Sequence, residues 1–331
     1  MKNFRTVFMG IDVSKNTLDF CIHDSQNNKN YSIKNSEKEI MKLFNKCTSY
    51  SSCIIVGVEN TGRYNWPLYH ALLDKDVKLY VVSPLHLKRS MGLVRGKNDK
   101  IDAERIMMFI KKHHYELTPW KAPRLQIQKL KVLLTERNFR IRMKRQLLAS
   151  QKDYYLMKNI QMQKPLLELN CELLNQINQQ IKALEETIEE LIMQDKQLHN
   201  KAKLMQTVPG VGKILCWVML AQTNEFKNIS NPRKMACYSG VVPFENRSGT
   251  SLIRKPRVSF LADKQMKSLL HLGAMSAIRL DNDLRIYYQR KVKEGKNKMS
   301  ALNAVRNKII HRVFAVVKNQ VPYENKLIYS A

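Results

Sequence analysis

The sequence predicts an α/β domain followed by an all-α remainder. Three observations carry that prediction. β-favouring apolar runs occupy residues 6–13 and 53–58 with a helical pattern between them, an apolar seam at helical spacing lies beyond Pro165, and helical patterns broken by glycine- and proline-bearing loops fill the chain from residue 125 onward. At 331 residues the chain is long enough for two or three domains with their own cores.

Charge bounds the function next. The chain carries 57 Lys and Arg against 28 Asp and Glu, a formal charge of +29 spread over its whole length. Such an excess implies a polyanionic partner, most commonly nucleic acid. No apolar run approaches the ~20 residues that span a bilayer, so no membrane role is expected. The six cysteines, Cys21, Cys47, Cys53, Cys171, Cys216 and Cys237, show no CxxC or Cys/His spacing, which argues against structural zinc and a disulfide framework. The opening MKNFRTVFMGIDVS lacks a signal peptide's apolar core, and a cytoplasmic, nucleoid-associated protein is expected.

Taken in order, residues 6–13 form a buried strand with Asp12 near its end, and Leu18, Phe20 and Ile22 alternate in a second strand beyond the Ser14-Lys15-Asn16 turn. Residues 37–47 read as a short amphipathic helix and CIIVGV, residues 53–58, as a central strand with Glu59 at its carboxyl end. A helix over 66–73 and a strand over 79–82 complete a βαβ unit, the arrangement in which open sheets place ligands at strand carboxyl ends. RGKNDKIDAERIMMFI then sets Asp99 and Asp102 three apart, on one face of a helix that follows a glycine- and lysine-rich loop. Singly, each acid has an ordinary explanation: a strand-end acid for Asp12, a loop-capping carboxylate for Glu59, a helix cap for Asp99 and a first-turn acid for Asp102. Together, Asp12, Glu59, Asp99 and Asp102 form a set of hard oxygen donors suited to Mg2+. Two such ions ~4 Å apart activate attacking and leaving oxygens in phosphodiester chemistry.

TPWKAPR, residues 118–124, reads as a linker. Residues 125–157 are helical and basic, and Arg137, Arg140 and Lys144 are candidate contacts to a phosphate backbone, with a solvated helix face as the equal alternative. Leu174, Ile177, Ile181, Leu184, Ile188, Leu191 and Leu198 then recur in steps of three and four with one break at Asp195, a coiled-coil seam whose partner is either the preceding helix or another protomer. Pro209-Gly210-Val211-Gly212-Lys213 between helical segments resembles a helix-hairpin-helix, whose turn at Gly210, Gly212 and Lys213 suits a phosphate. A short helix at 231–238 precedes a polar loop with Ser248-Gly249, followed by Arg254, Lys255 and Arg257 as further nucleic-acid candidates. Helices at 265–279 and 301–317 are joined by a basic connection over 291–298. The expected domains are 1–118, 119–204 and 205–331.

The segments GIDVSKNTLDF, VENTGRYNWPLYHAL, VVSP and KNDKIDAERI resemble the RNase H/RuvC-like domain of the DEDD transposases, the bacterial insertion-sequence-110 family. Order and spacing match Asp12, Glu59, Asp99 and Asp102 to that family's acidic tetrad, with Lys97 and Lys100 flanking the last two acids. GVVPFENRSG resembles the family's C-terminal transposase domain and places its serine nucleophile at Ser248. Leu261-Ala262-Asp263-Lys264 departs from the Lys, Gly and Asn frequent after that loop. The resemblance implies an RNA-guided recombinase that joins donor and target DNA through a covalent phosphoserine. It also implies a structured bridge RNA as partner and a homo-oligomer, dimer or tetramer, in which one protomer's acids meet another's Ser248. Two other classes compete with it: a metal-dependent junction nuclease using water, and a nucleic-acid-binding assembly protein without activity.

Overall fold

The computed structural model describes residues 6–24, 27–48, 53–90, 98–156, 163–248 and 252–324. The chain divides into two compact units, Met1–Ala122 and Pro123–Ala331.

The first unit is built on a five-stranded mixed sheet. Its strands are β1 (Thr6–Val13), β2 (Thr17–Asp24), β3 (Asn27–Lys34), β4 (Cys53–Glu59) and β5 (Val77–Val82), in the order β3-β2-β1-β4-β5. β1, β2 and β3 run antiparallel as a meander, while β4 and β5 add in parallel on the other side of β1. Order and direction agree with the RNase H-like sheet expected. Alternation along the strands divides two cores. Val7, Met9 and Ile11 of β1 and Ile54, Val56 and Val58 of β4 pack with Ile40 and Phe44 of α1 (Glu37–Thr48) and Leu68 of α2 (Trp66–Ala71). The opposite face carries Phe8, Gly10 and Asp12 of β1 and Ile55, Gly57 and Glu59 of β4, and is covered by α3 (Pro84–Ser90) and α4 (Asp99–His113) through Leu87, Ile106 and Ile110. β3, NNKNYSIK, is a polar edge strand that the apolar pattern does not announce.

Among its described residues the second unit is helical apart from one hairpin. α5 (Leu125–Leu156) and α6 (Gln163–Gln194) pack side by side. The cross-pairs Arg137–Glu185, Lys144–Asn178 and Gln151–Cys171 descend along one helix as they rise along the other, so the pair is antiparallel. The seam partner is therefore the preceding helix of the same chain. α7 (Lys196–Gln206) begins at the seam's break. Asp195 caps it, accepting from Leu198 N at 2.8 Å, and takes the Arg124 fork at 3.0 and 3.1 Å. α8 (Lys213–Thr223) and α9 (Pro232–Tyr238) follow, then the hairpin β6 (Pro243–Ser248) and β7 (Leu252–Val258), then α10 (Lys264–Leu280), α11 (Asn282–Lys293) and α12 (Lys298–Asn319). Lys291 and Lys293 thus belong to the last turn of α11 rather than to a connection. One apolar core takes in Ile127, Leu130 and Leu134 of α5, Ile188 and Ile192 of α6, and the helices from α7 to α12.

The linker is pinned at both ends. Trp120 stacks on Tyr69 at 4.3 Å and donates its backbone N–H to Leu79 O in the first unit, whereas Arg124 belongs to the second.

Candidate active site

Period-two alternation decides which strand side chains can reach α4. Asp12 follows Phe8 and Gly10 on the α4 face of β1, and Glu59 follows Ile55 and Gly57 on the same face of β4. The last paired residues of the two strands are Ile11 and Val58, so the two acids lie at the same end of neighbouring parallel strands. Gly10 lets the helix come close. A Cβ there would sit 2.0 Å from Ala103 O and 2.3 Å from Met107 N, so only glycine admits the α4 backbone against β1. Asp99 lies one turn back from Ala103 and Asp102 immediately before it. Asn98 caps this helix by accepting from Lys100 N at 3.2 Å, so Asp99 is a first-turn residue, not the cap.

The charges of the other three acids act on Asp12. Burial pushes the Asp12 carboxyl up to about 6, and the charges of Asp99, Asp102 and Glu59 add to that shift. Asp102 is tied to Arg105 at 2.8 Å. Glu59 is held through its backbone: buried Asn65 donates to Glu59 O at 2.8 Å, and Asn60 N donates to Val82 O at 2.9 Å. Among the described residues no three His, Cys, Asp or Glu side chains stand close enough to hold a metal ion. The acids share one electrostatic field with Asp102 turned to Arg105, and their hard oxygen donors match Mg2+ in kind. Lys100 is exposed in the first turn of α4, and Lys97 lies outside the described residues.

Ser248 is the last residue of β6, its backbone paired with Leu252 across the hairpin; Gly249 lies outside the described residues. The polar loop expected here is a β-hairpin. Phe244 faces Arg257 and Asn246 faces Arg254, so β7 carries one extra residue in that interval, at the step containing Lys255 and Pro256. Pro256 has no N–H to donate, which is compatible with a bulge in a two-stranded ribbon. The acids belong to the first unit and Ser248 to the second.

The basic candidates of α5 have partners within the chain. Arg137 Nε donates to Glu185 at 2.7 Å, Arg140 pairs with Glu136 and reaches Gln180, and Lys144 donates to Asn178 at 2.7 Å. The exposed bases of that helix are Lys129, Lys131, Arg142, Arg145 and Lys152, and Arg140 and Arg142 lie over the exposed Phe139 ring. Reading the apolar phase of α5 as closely as that of α6 would have separated the two sets. In the 207–212 turn, Val211 N donates to Val208 O at 3.0 Å and Gly210 has φ +87°, a type II turn after Pro209. Gly210 packs on Gly273 of α10, where a Cβ would come 2.3 Å from the carbonyl oxygen, whereas Gly212 is open and caps α8. Lys213 is exposed and pairs with Glu189 at 2.6 Å.

Comparison with known proteins follows this division. The DEDD IS110-type transposase family matches residues 9–152, which hold all four acids, and the family described as Transposase IS116/IS110/IS902 matches residues 202–289, which hold Ser248. The chain belongs to the IS110 family of transposases. Relatives include the pilin gene-inverting proteins of Moraxella bovis and Moraxella lacunata, each 24% identical over 327 residues, 97% of this chain and 98% of theirs. The insertion element IS110 uncharacterized 43.6 kDa protein of Streptomyces coelicolor is 27% identical over 154 residues, 46% of this chain and 37% of that protein. This IS110-family transposase is thus an enzyme of DNA recombination. Among its described residues no helix is long and apolar enough to cross a membrane.

Proposed function

We propose that this transposase breaks and rejoins DNA through a covalent phosphoserine at Ser248, with the acidic tetrad as its metal site. The observation that supports the metal site is Asp12, whose carboxyl is raised to about 6 by burial and by the charges of Asp99, Asp102 and Glu59. Such a field is costly unless a cation or a proton relieves it. Asp12, Glu59, Asp99 and Asp102 would hold Mg2+, as two ions. When bound, the metal neutralises charge on the reacting phosphate and its leaving oxygen. Ser248 Oγ attacks phosphorus and loses its proton; the bond from phosphorus to the 3′ oxygen breaks, and that oxygen takes up a proton. Attack by a 3′-hydroxyl of the second DNA on the phosphoserine reverses these changes and frees the serine. The phosphodiester energy is conserved, so no nucleotide cofactor is required.

The functional segments are residues 1–118 for the acids, 119–204 for assembly and RNA contact, and 205–331 for the serine. The partners are donor and target DNA, a structured bridge RNA and further copies of the chain, acting at the nucleoid. The charge of +29 and the exposed Lys129, Arg142 and Arg145 support a large polyanionic load. Base pairing by an RNA would leave the protein to hold backbone and shape.

The test is a denaturing gel of labelled donor and target DNA with the protein, its bridge RNA and magnesium. A protease-sensitive DNA adduct is expected in the wild type and absent in Ser248→Ala and Asp12→Asn. Cleavage without an adduct, equal in Ser248→Ala, would replace this reading with a nuclease that uses the acids and water.

A further inference from the structure

Among the described residues the partly or fully buried arginines are, with one exception, matched to acids. Arg105 has Asp102, Arg124 has Asp195 and Glu225, Arg137 has Glu185, and Arg312 of α12 has Asp281 and Asp283. Arg306, on the same helix as Arg312, is only 5% exposed and has no carboxylate. Its absence is not hidden elsewhere, because every Asp and Glu of the chain lies among the described residues and none of them forms an ion pair with Arg306.

The guanidinium is also short of acceptors. It has five N–H groups. Nη2 donates to His271 Nδ1 on α10, Nη1 reaches Asn303 Oδ1 at 3.4 Å, and Nε is buried without a partner. Because arginine only donates, His271 Nδ1 accepts, which puts the imidazole proton on Nε2 and keeps the ring neutral. Burial and the neighbouring Arg306 charge both hold its pKa below the usual value. A fixed cation, a neutral imidazole N–H and an amide side chain make a site with positive charge and unused donors. Buried charge of this kind is otherwise paired.

We propose that Arg306 is the floor of an oxyanion site that takes one phosphate of a nucleic-acid backbone. The planar fork suits a phosphate, which accepts two parallel N–H bonds. His271 and Asn303 are themselves half-exposed, so the site lies one side chain below the surface. Its place in the fold gives the phosphate a consequence. Asn303 Nδ2 donates to Val241 O, two residues before β6 begins, so the group that contacts the guanidinium also holds the root of the hairpin that ends in Ser248. The proposal needs the family's DNA chemistry but neither the serine nor the acidic tetrad reading.

The experiment compares the full-length wild type with Arg306→Met and Arg306→Lys by thermal unfolding in sodium chloride and in inorganic phosphate at matched ionic strength. It then measures duplex DNA binding against salt. Phosphate is expected to raise the wild-type midpoint above its chloride value, with that increment lost in Arg306→Met and reduced in Arg306→Lys, which keeps the charge without the fork. Arg306→Met is expected to unfold no lower than wild type in chloride, since it removes an uncompensated charge. Its log–log salt slope for DNA is expected to be shallower by about one. A phosphate increment retained in Arg306→Met, or its absence from the wild type, overturns the proposal. A lost increment with an unchanged DNA slope assigns the site to free phosphate and overturns the backbone assignment. If Arg306→Met does not fold, the charge is structural, and Arg306→Lys with full phosphate response confirms that the proposal fails.

Discussion

At the scale of single residues, Gly10 and Asp12 make opposite demands on one strand. Gly10→Ala would drive a Cβ into the backbone of α4, which cannot give as a side-chain end can. A loss of about 3 kcal/mol is expected in urea unfolding, with recombination lost through displacement of Asp99 and Asp102. Asp12 works against stability in the metal-free protein. Its folded pKa of about 6 lies above the unfolded value, so the folded state holds the extra proton and stability falls as pH rises from about 4 through 6. Asp12→Asn should therefore be more stable than wild type at pH 7 without metal, by about 1–2 kcal/mol after allowance for solvent screening. The difference should vanish below about pH 4, as read by thermal unfolding across pH. A wild type stabilised by ionisation of Asp12 would show the reverse trend.

At the scale of elements, legibility followed the apolar pattern. β1, β4, β5 and the α6 seam are readable because each buries a repeating face, and the positions of the acids follow from those elements: Asp12 and Glu59 stand at strand ends, Asp99 and Asp102 in the first turn of α4. β3 is not, since NNKNYSIK serves as an exposed edge and needs only backbone pairing. The Ser248 hairpin reads as a loop in the sequence because Arg254, Lys255 and Arg257 mask any alternation in β7. The break at Asp195 was visible, but its cause was not: Arg124 and Glu225 come from distant segments. Glu225 has a fully buried side chain held by Arg124 at 2.7 Å and Lys201 at 2.8 Å, in a turn where Asn224, Glu225 and Phe226 all have positive φ. Glu225→Gln leaves two cations undercompensated and is expected to cost about 3 kcal/mol in urea unfolding. A loss under about 0.5 kcal/mol would show that the network is solvent-screened.

At the scale of the whole molecule, charge governs affinity. With +29 spread over the chain, DNA binding is expected to weaken steeply with salt, with a log–log slope of about −5 or steeper in fluorescence anisotropy. A shallow slope would mean that few phosphates are neutralised at once. The helical pair of the second unit has a different consequence, one of length. Each helix has 32 residues, which corresponds to about 48 Å of rise. Because the pair is antiparallel and cross-linked rung by rung, removing seven residues from both helices at matching heights keeps the seam in phase and shortens the rod by about 10 Å, the rise of about three base pairs. Removing them from one helix alone slides every remaining rung out of register. The pair is a spacer whose length can be reset without rewriting either end.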